Sequence, residues 1–232
     1  MNYHEVMNHL RQLANPEVVN VRKRKFGVIS QNALGIYHKD LKPLAQQIGK
    51  DNELALQLFD SGIFEARILC SKIFDPNVLT EELMEKWITY FDNWEFCDSF
   101  SMGVFAKSKF AVTKAHEWSH REAEFEKRAA FATMASYCMA DKKADNRVFE
   151  DFLPVIIRES NDNRLYVKKA VNWALRNIGK RNIDLQQKAL VTANTILRID
   201  TPPARWIAKD ALRELTADKV NRLDYPRSVY RP

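Results

Sequence analysis

The chain has 232 residues, which is enough for one large domain or two small ones with a sizeable core. Lysine and arginine (36 residues) outnumber aspartate and glutamate (30), so the formal net charge is +6. This mild excess suits a polyanionic partner, but basic enzymes of other kinds share it, so charge alone excludes neither class.

Other features exclude a secreted or membrane-spanning protein. The three cysteines, Cys70, Cys97 and Cys138, lie far apart in apolar helical contexts, which indicates core thiols in a reducing compartment. The N-terminus lacks a basic region followed by an apolar one, and no stretch approaches about 18 uninterrupted apolar residues. We therefore expect a soluble protein of the cytoplasm.

The chain is predicted to be helical throughout. With only six glycines and eight prolines, it contains no long run of β-branched and aromatic residues with period two. Turn signals divide it into a dozen or so short helices: "NP" at 15–16, "SGI" at 61–63, "DPN" at 75–77, "DKKADN" at 141–146, "SNDN" at 160–163, "GKRN" at 179–182 and "DTPP" at 200–203. We assign residues 1–222 to a single domain and residues 223–232 to a poorly ordered tail.

Five segments resemble one another: "FEARILCSKIF" (64–74), "WEFCDSFSMGVF" (94–105), "FEKRAAFATMASY" (125–137), "YVKKAVNWALRNI" (166–178) and "RWIAKDALREL" (205–215). Aligning Arg67, Asp98, Arg128, Lys169 and Lys209 gives spacings of 31, 30, 41 and 40 residues, which is typical of helical pairs of the HEAT or armadillo kind. The sequence therefore predicts an all-α, HEAT-like solenoid with a concave basic groove, in which Asp98 is the single acidic residue of the register.

The stretch "NWEFCDSFS" places Trp94 and Asp98 one helical turn apart. Helical spacing predicts that Ser101 shares their face, and that the core contains Phe96, Phe100 and Gly103. One interpretation of Asp98 is a salt bridge with a neighbour in the repeat register, Arg67 or Arg128. The other is an anion that stabilises a positively charged species within a cationic cleft. The two interpretations are compatible.

A second exposed tryptophan lies in "LYVKKAVNWALRNIGK", where the apolar stripe is Val167, Ala170, Val171, Ala174 and Ile178. On another side, Trp173 lies among Lys169, Arg176 and Lys180. It is either a boundary residue that covers a neighbouring helix or a flat surface against a nucleic-acid backbone or sugar. The neighbouring cations favour the second interpretation.

Further cations extend this pattern. Arg128 is followed by Ala132 and Ala135, which predicts space for a bulky ligand beside its guanidinium group. A basic stripe of period four near the C-terminus contains Arg205, Lys209 and Arg213. The "RKRK" run at 22–25 is either a solvated charge run or another phosphate contact.

Metal and cofactor chemistry lack support. His116 and His120 have a spacing that can hold a metal, but Glu117 is the only obvious further ligand nearby, so we predict no metal site. The sequence contains no GxxxxGK[ST], GxGxxG or GxSxG, so nucleotide hydrolysis, dinucleotide cofactors and serine hydrolase chemistry are unsupported, and we expect no cofactor.

Over nearly its whole length the chain resembles the bacterial DNA alkylation repair proteins built from HEAT-like repeats, the AlkD-type DNA glycosylases. The most specific parts of this resemblance are the Trp94-x-x-x-Asp98 pair and "KKAVNWALR". It implies a monofunctional glycosylase of base excision repair that excises cationic N3- and N7-alkylated purines from duplex DNA without base flipping. It also implies a nucleoid-associated protein, for which we expect a monomer.

The resemblance also implies roles for individual residues. Trp94 and Trp173 are similar to the two aromatics that pack on the sugar of the lesion, Asp98 to the catalytic carboxylate, and Arg128 to the phosphate-contacting arginine. Phe26 replaces a tyrosine of the family and is expected to contact DNA without that hydroxyl. The predicted phosphate contacts are completed by Lys169, Arg176, Lys180, Arg205, Lys209 and Arg213. The main alternative is a non-catalytic HEAT-like protein that recognises distorted or branched DNA, and a protein-binding scaffold is third.

Overall fold

The protein, seen here as a computed structural model, is described over residues 1–221, and within this range it contains α-helices but no β-strand. The all-α prediction is confirmed. The predicted tail, residues 223–232, lies outside the described residues. The chain forms two compact units, residues 1–108 and the part from residue 109 onward.

The helices of the first unit are α1 (Tyr3–Gln12), α2 (Pro16–Val21), α3 (His38–Ile48), α4 (Asn52–Asp60), α5 (Phe64–Ile73), α6 (Glu81–Ile88) and α7 (Trp94–Gly103). A π-helical turn, Arg22–Phe26, continues α2. Short 3-10 turns follow α5 at Pro76–Val78 and α7 at Phe105–Lys107. The second unit contains α8 (Ala111–Trp118), α9 (Glu124–Ala140), α10 (Asn146–Glu159), α11 (Leu165–Gly179), α12 (Ile183–Leu197), α13 (Pro202–Leu215) and α14 (Asp218–Asn221).

The five similar sequence segments fall on alternate helices, α5, α7, α9, α11 and α13. In the first unit, α5 packs between α3 and α7. In the second unit, α11 packs between α9 and α13, while α10 packs between α8 and α12. Each unit therefore repeats a pairing of neighbouring helices, as the sequence periodicity predicts.

An aromatic cluster forms the core beneath α7. Phe96 and Phe100 are fully buried and lie 5.3 Å apart between ring centroids, and Phe100 also lies 5.0 Å from the ring of Trp87. Edge-to-face contacts of this kind add to the free energy gained by burying large apolar rings. Because this aromatic face of α7 is buried in the core, the residues on the opposite face of the helix point away from the core.

Two local features set the position of α7. The buried Asn93 side chain accepts a hydrogen bond from the backbone N–H of Phe96 (3.0 Å), so the helix begins at Trp94. At the other end, a Cβ atom on Gly103 would lie 2.4 Å from the backbone oxygen of Ser71. Glycine therefore lets α7 touch the C-terminal turn of α5 backbone to backbone.

All three cysteines are buried free thiols, as the sequence predicts. Burial raises the pKa of Cys138 to about 12, so this thiol is not available as a thiolate nucleophile at neutral pH. Among residues 1–221, no helix combines the length and the apolar character needed to cross a lipid bilayer.

Candidate active site

The first unit contains a cavity of about 1120 Å³, walled by α3, α5, α7 and the Arg22–Phe26 turn. Three residues selected from the sequence, Phe26, Trp94 and Asp98, all line it. Small-molecule sites usually occupy about 300 to 1,000 Å³, so this space suits a segment of a polymer. The structure thus brings together residues that are up to 72 positions apart in the chain.

Within α7, the cavity is lined by Trp94, Glu95, Asp98, Ser99, Met102 and Gly103. Trp94 and Asp98 are half-buried, and they share this face as the sequence predicts. The same prediction for Ser101 is wrong, because this residue is fully buried. Ser99 and Met102, which line the cavity, lie about 160° and about 100° around the helix from Ser101.

The indole of Trp94 is held by the backbone next to Phe26. Its Nε1–H donates a hydrogen bond to the backbone oxygen of Phe26 (2.9 Å). Phe26 ends the π-helical turn, Gly27 follows with a φ of +64°, and the Phe26 ring is 53% exposed. This contact ties the Trp94 side chain to the backbone of the turn that carries Phe26, although neither the sequence spacing nor the resemblance indicates it.

Replacing Trp94 with phenylalanine is expected to lower the free energy of unfolding by about 1 kcal/mol, because the Phe26 carbonyl loses its donor. Chemical denaturation monitored by circular dichroism measures this change. Trp206→Phe is the matched control, since Trp206 is 40% exposed and rests against Lys168, 5.4 Å from the ring centroid. Equal losses in the two variants would show that the Trp94 hydrogen bond contributes no stability.

A buried carboxylate fixes the loop that precedes α3. Glu65 on α5 is fully buried and accepts backbone N–H groups from Leu34 (2.7 Å), Gly35 (2.8 Å) and Ile36 (3.1 Å). Gly35 has a φ of +82°, and a Cβ there would lie 2.0 Å from the backbone oxygen of Asn15. Only glycine fits this position, so the loop backbone can wrap around the carboxylate.

Arg22 connects Glu65 to the cavity. Its Nη1 lies 2.7 Å from Glu65, and its Nη2 lies 2.6 Å from the Ile36 oxygen and 3.0 Å from Glu95. His38 also contacts Glu95, at 2.8 Å. Arg22 is buried, so the interpretation of "RKRK" as a solvated charge run is wrong for this residue, whereas residues 23–25 are exposed. The phosphate contact stays a prediction. The buried charge of Arg22 is compensated by two carboxylates, and the residue anchors the turn that carries Phe26.

Arg67 does not occupy the place that the repeat register predicts for it. Its guanidinium group lies 4.9 Å from the Tyr90 ring, 5.0 Å from Phe59 and 5.7 Å from Phe96, and its Nε donates to the Phe59 oxygen. The carboxylates whose charges act on it are Asp92 and Asp60. The predicted pairing of Arg67 with Asp98 is therefore wrong, because cation–π contacts hold the arginine against the core.

In the second unit, Arg128 is almost completely buried on α9. Its Nη1 donates a hydrogen bond to the backbone oxygen of Tyr166 (2.6 Å). Ala132 and Ala135 are also fully buried, so the predicted space for a ligand beside them is wrong. The small residues instead allow close packing of α9 against α11.

The tryptophan of α11 lies at the surface boundary. Trp173 is half-buried and Lys169 is exposed, whereas Arg176 and Lys180 both pair with Glu214 on α13. The Lys180 Nζ lies 2.6 Å from Glu214. The predicted stripe of available cations is therefore wrong for Arg176 and Lys180. Their DNA-binding role remains a prediction, and it requires these ion pairs to open.

The C-terminal basic stripe is interrupted in the same way. Arg205 turns back to Asp200 (2.7 Å), and Arg213 pairs with Asp210 one turn earlier. Lys209 between them is exposed. The prediction of a continuous basic stripe on α13 is therefore wrong, because Asp200 before the helix and Asp210 within it neutralise two of the three cations.

The Glu214 pairs predict a pH-dependent stability. Partial burial alone would raise the pKa of Glu214, but hydrogen bonds and charges from Lys180 and Arg176 lower it below its usual value. Since the folded pKa is lowered, the stabilisation is present above the unfolded pKa and disappears as the pH falls through the folded pKa. We expect Glu214→Gln to cost about 1 kcal/mol at pH 7, measured by urea unfolding. The difference from wild type should shrink as the pH falls below the unfolded pKa of the carboxyl group, and a constant difference would contradict the assignment.

The histidine pair is used for packing and hydrogen bonding. The His116 ring lies 5.1 Å from that of Phe152, and the His120 Nε2 lies 3.1 Å from Arg158 Nη1. Within residues 1–221, no group of three or more potential metal ligands converges.

Sequence reasoning missed all four lysines of the cavity wall: Lys39, and a series formed by Lys42, Lys72 and Lys107. Their spacings of 30 and 35 residues follow the period of the helical repeat, so the repeat register contained the signal. Glu65, Arg22 and Glu95 were also missed, because nothing in the local sequence pairs a carboxylate with a partner 43 or 73 residues away.

Comparison with solved structures identifies the class of fold. The chain superimposes with a TM-score of 0.75 on a protein of a new family related to the HEAT-like repeat DNA glycosylases, a family with affinity for branched DNA structures. The match covers 100% of both chains at 20% sequence identity. The fold is therefore an all-α, HEAT-like repeat, as the sequence predicts.

Sequence comparison identifies the family. Residues 6–215 match the family model of DNA alkylation repair enzymes, and the chain belongs to this family. It is 21% identical to the uncharacterized protein Lin0241 of Listeria innocua over 200 residues, which are 85% of this chain and 87% of that protein. It is 20% identical, over the same shares, to the uncharacterized protein Lmo0209 of Listeria monocytogenes.

Proposed function

We propose that the chain is a monomeric DNA glycosylase of base excision repair, which acts at the nucleoid on purines alkylated at N3 or N7. The observation that carries this proposal is the presence of Trp94 and Asp98 on one wall of a large cavity whose other lining residues are rich in lysine. A carboxylate at this place does not help to bind a polyanion, because it repels phosphates. It does stabilise a reaction in which the sugar becomes positively charged.

The chemistry requires no strong general acid. Alkylation at N3 or N7 gives the purine a formal positive charge, so the base departs as a neutral molecule when the C1′–N9 bond breaks and its electron pair moves to the purine. Positive charge then develops on the deoxyribose, as in the oxocarbenium-like transition states of sugar hydrolysis. Water adds to C1′ and releases a proton, which completes the hydrolysis.

Asp98 supplies the stabilising charge in this proposal. A carboxylate that is already positioned by α7 stabilises the developing cation more in the transition state than in the ground state. The π-face of Trp94 is proposed to lie against the sugar, where the attraction to electron-poor C–H groups is worth about 0.5–2 kcal/mol. Neither effect requires the damaged nucleotide to leave the duplex. Trp173, on the second unit, is assigned to DNA by the resemblance alone.

The proposed phosphate contacts position the duplex and carry no base information. Arg128 is assigned to the backbone near the lesion, although the residue is mostly buried. Phe26 and Lys169 are exposed, and each is assigned to a DNA contact. Ion-paired cations on α11 and α13 contribute less, since their partners must first be displaced. This group comprises Arg176, Lys180, Arg205 and Arg213, and the exposed Lys209 lies beside them.

A second candidate function is binding of branched DNA without chemistry. It is favoured by the reported affinity of the structurally similar protein for branched DNA structures. The two candidates differ in what they require of Asp98, because only the glycosylase needs its charge beside a sugar that becomes positive.

Two measurements on the same protein decide between the candidates. A glycosylase releases free alkylpurine from methylated duplex DNA and binds a four-way junction no more than a few fold more tightly than a duplex. A branched-DNA binder releases no base and binds the junction at least tenfold more tightly. The second result would overturn the proposed glycosylase.

A further inference from the structure

The strongest feature outside the assigned residues is a group of three lysines in the first unit, Lys42, Lys72 and Lys107, which we call the lysine triad. All three line the same cavity as Trp94 and Asp98. They come from three successive repeats: α3, the last turn of α5, and the 3-10 turn after α7. The contact of Gly103 with Ser71 brings the last two of these segments together.

The triad is a local concentration of positive charge. Residues 1–108 contain 12 lysine and arginine residues against 14 aspartate and glutamate residues, so the first unit as a whole is not basic. Burial lowers the pKa of Lys72, and the charges of Lys107 and Lys42 lower it further. Placing like charges together costs free energy unless a ligand of opposite charge neutralises them.

The triad also differs from the cations of α11 and α13. In the part of the chain that the structure describes, none of the three lysines forms an ion pair with a carboxylate. Arg176, Lys180, Arg205 and Arg213, by contrast, are all paired. A polyanion can therefore bind the triad without displacing an existing partner.

We propose that Lys42, Lys72 and Lys107 bind the backbone phosphates of the DNA strand that carries the alkylated nucleotide. The inference rests on the proposed function in taking damaged duplex DNA as the ligand. Asp98 and Gly103 are five residues apart on α7, about 7.5 Å along the helix axis. Successive phosphates of one strand advance by about 3.4 Å along the duplex. With the sugar of the lesion at Asp98, the triad holds phosphates of the same strand to one side of the lesion.

Salt dependence of duplex binding tests the triad directly. Each phosphate contact contributes about −0.9 to the slope of log K against log salt concentration, so Lys72→Gln should make the slope shallower by about 0.9 and the triple glutamine variant by about 2.7. Fluorescence anisotropy with a labelled duplex measures both. The matched control is Lys86→Gln, an exposed lysine of α6 that pairs with Asp60 outside the cavity (3.3 Å) and should leave the slope unchanged.

Replacing single phosphates with uncharged methylphosphonates shows which phosphates the triad contacts. The replacements are introduced one at a time on either side of the lesion. Wild type should lose affinity most at a few neighbouring phosphates on one side of the lesion, and the triple variant should be indifferent to the same substitutions. Equal sensitivity of the two proteins, or an unchanged salt slope in the triple variant, would overturn the proposal.

Neither measurement depends on base release. Failure of the lysine variants to change DNA binding refutes the triad while the glycosylase proposal stands. A wild-type protein that shows the predicted slopes and phosphate pattern but releases no base supports the triad and refutes the glycosylase. Absence of duplex binding by wild type would overturn both.

Discussion

Replacing Asp98 with asparagine is expected to slow the release of 7-methylguanine from duplex DNA by about 100- to 1,000-fold, which is the usual effect of removing one preorganised electrostatic group. Asparagine keeps the shape of the side chain but carries no charge to stabilise a positive sugar. The dissociation constant for the duplex should stay within about threefold of wild type, because Asp98 does not hold phosphates. Single-turnover kinetics with excess protein measures the rate separately from binding.

The matched control is Asp92→Asn, an exposed carboxylate two residues before α7 that does not line the cavity. It should release base at nearly the wild-type rate. If Asp98→Asn also retained that rate, Asp98 would have no part in the chemistry, whatever its position in the cavity.

Glu65→Gln is expected to lower the free energy of unfolding by about 3–5 kcal/mol, because it breaks a buried ion pair with Arg22. Glutamine also brings an amide donor to a place where three backbone N–H groups and a guanidinium group all donate. The loop before α3 and the turn that carries Phe26 should lose their fixed positions. Urea denaturation measures the loss in stability.

Glu53→Gln is the control for this prediction, since Glu53 is exposed in the first turn of α4. Its effect should stay within about 0.5 kcal/mol. A similarly small effect of Glu65→Gln would show that the buried network is not required for the fold. Base release at a temperature where the variant is still folded should also fall, because Trp94 donates its hydrogen bond to the Phe26 backbone.

The helices could be predicted from the sequence because their causes are local. The punctuating residues and the 3.6-residue periodicity of α7 and α11 depend on neighbours a few positions away, and the repeat of about 30 to 40 residues identified the pairing of helices. The shared face of Trp94 and Asp98 follows from the same geometry. Ser101 was misplaced because a three-residue step turns the helix by 300°, and the buried face of α7 is wide enough to include it.

The electrostatic partners could not be predicted, because they depend on contacts between distant segments. From the sequence, Arg176 and Lys180 are expected to be available for binding phosphates. In the structure, both form ion pairs with Glu214 on α13. The sequence places Arg67 among the residues of the groove, whereas in the structure its guanidinium group packs against the rings of Phe59 and Tyr90. In both cases a neighbouring helix supplies the partner that changes the interpretation.

The central claim is that the chain breaks a glycosidic bond, and release of the base tests it most directly. Purified protein is incubated with duplex DNA methylated by a simple alkylating agent, and the supernatant is analysed by mass spectrometry. The account predicts free 7-methylguanine and 3-methyladenine in amounts that rise with protein concentration and fall to the spontaneous background with Asp98→Asn. Background levels with the folded wild-type protein, bound to the same DNA, would contradict it.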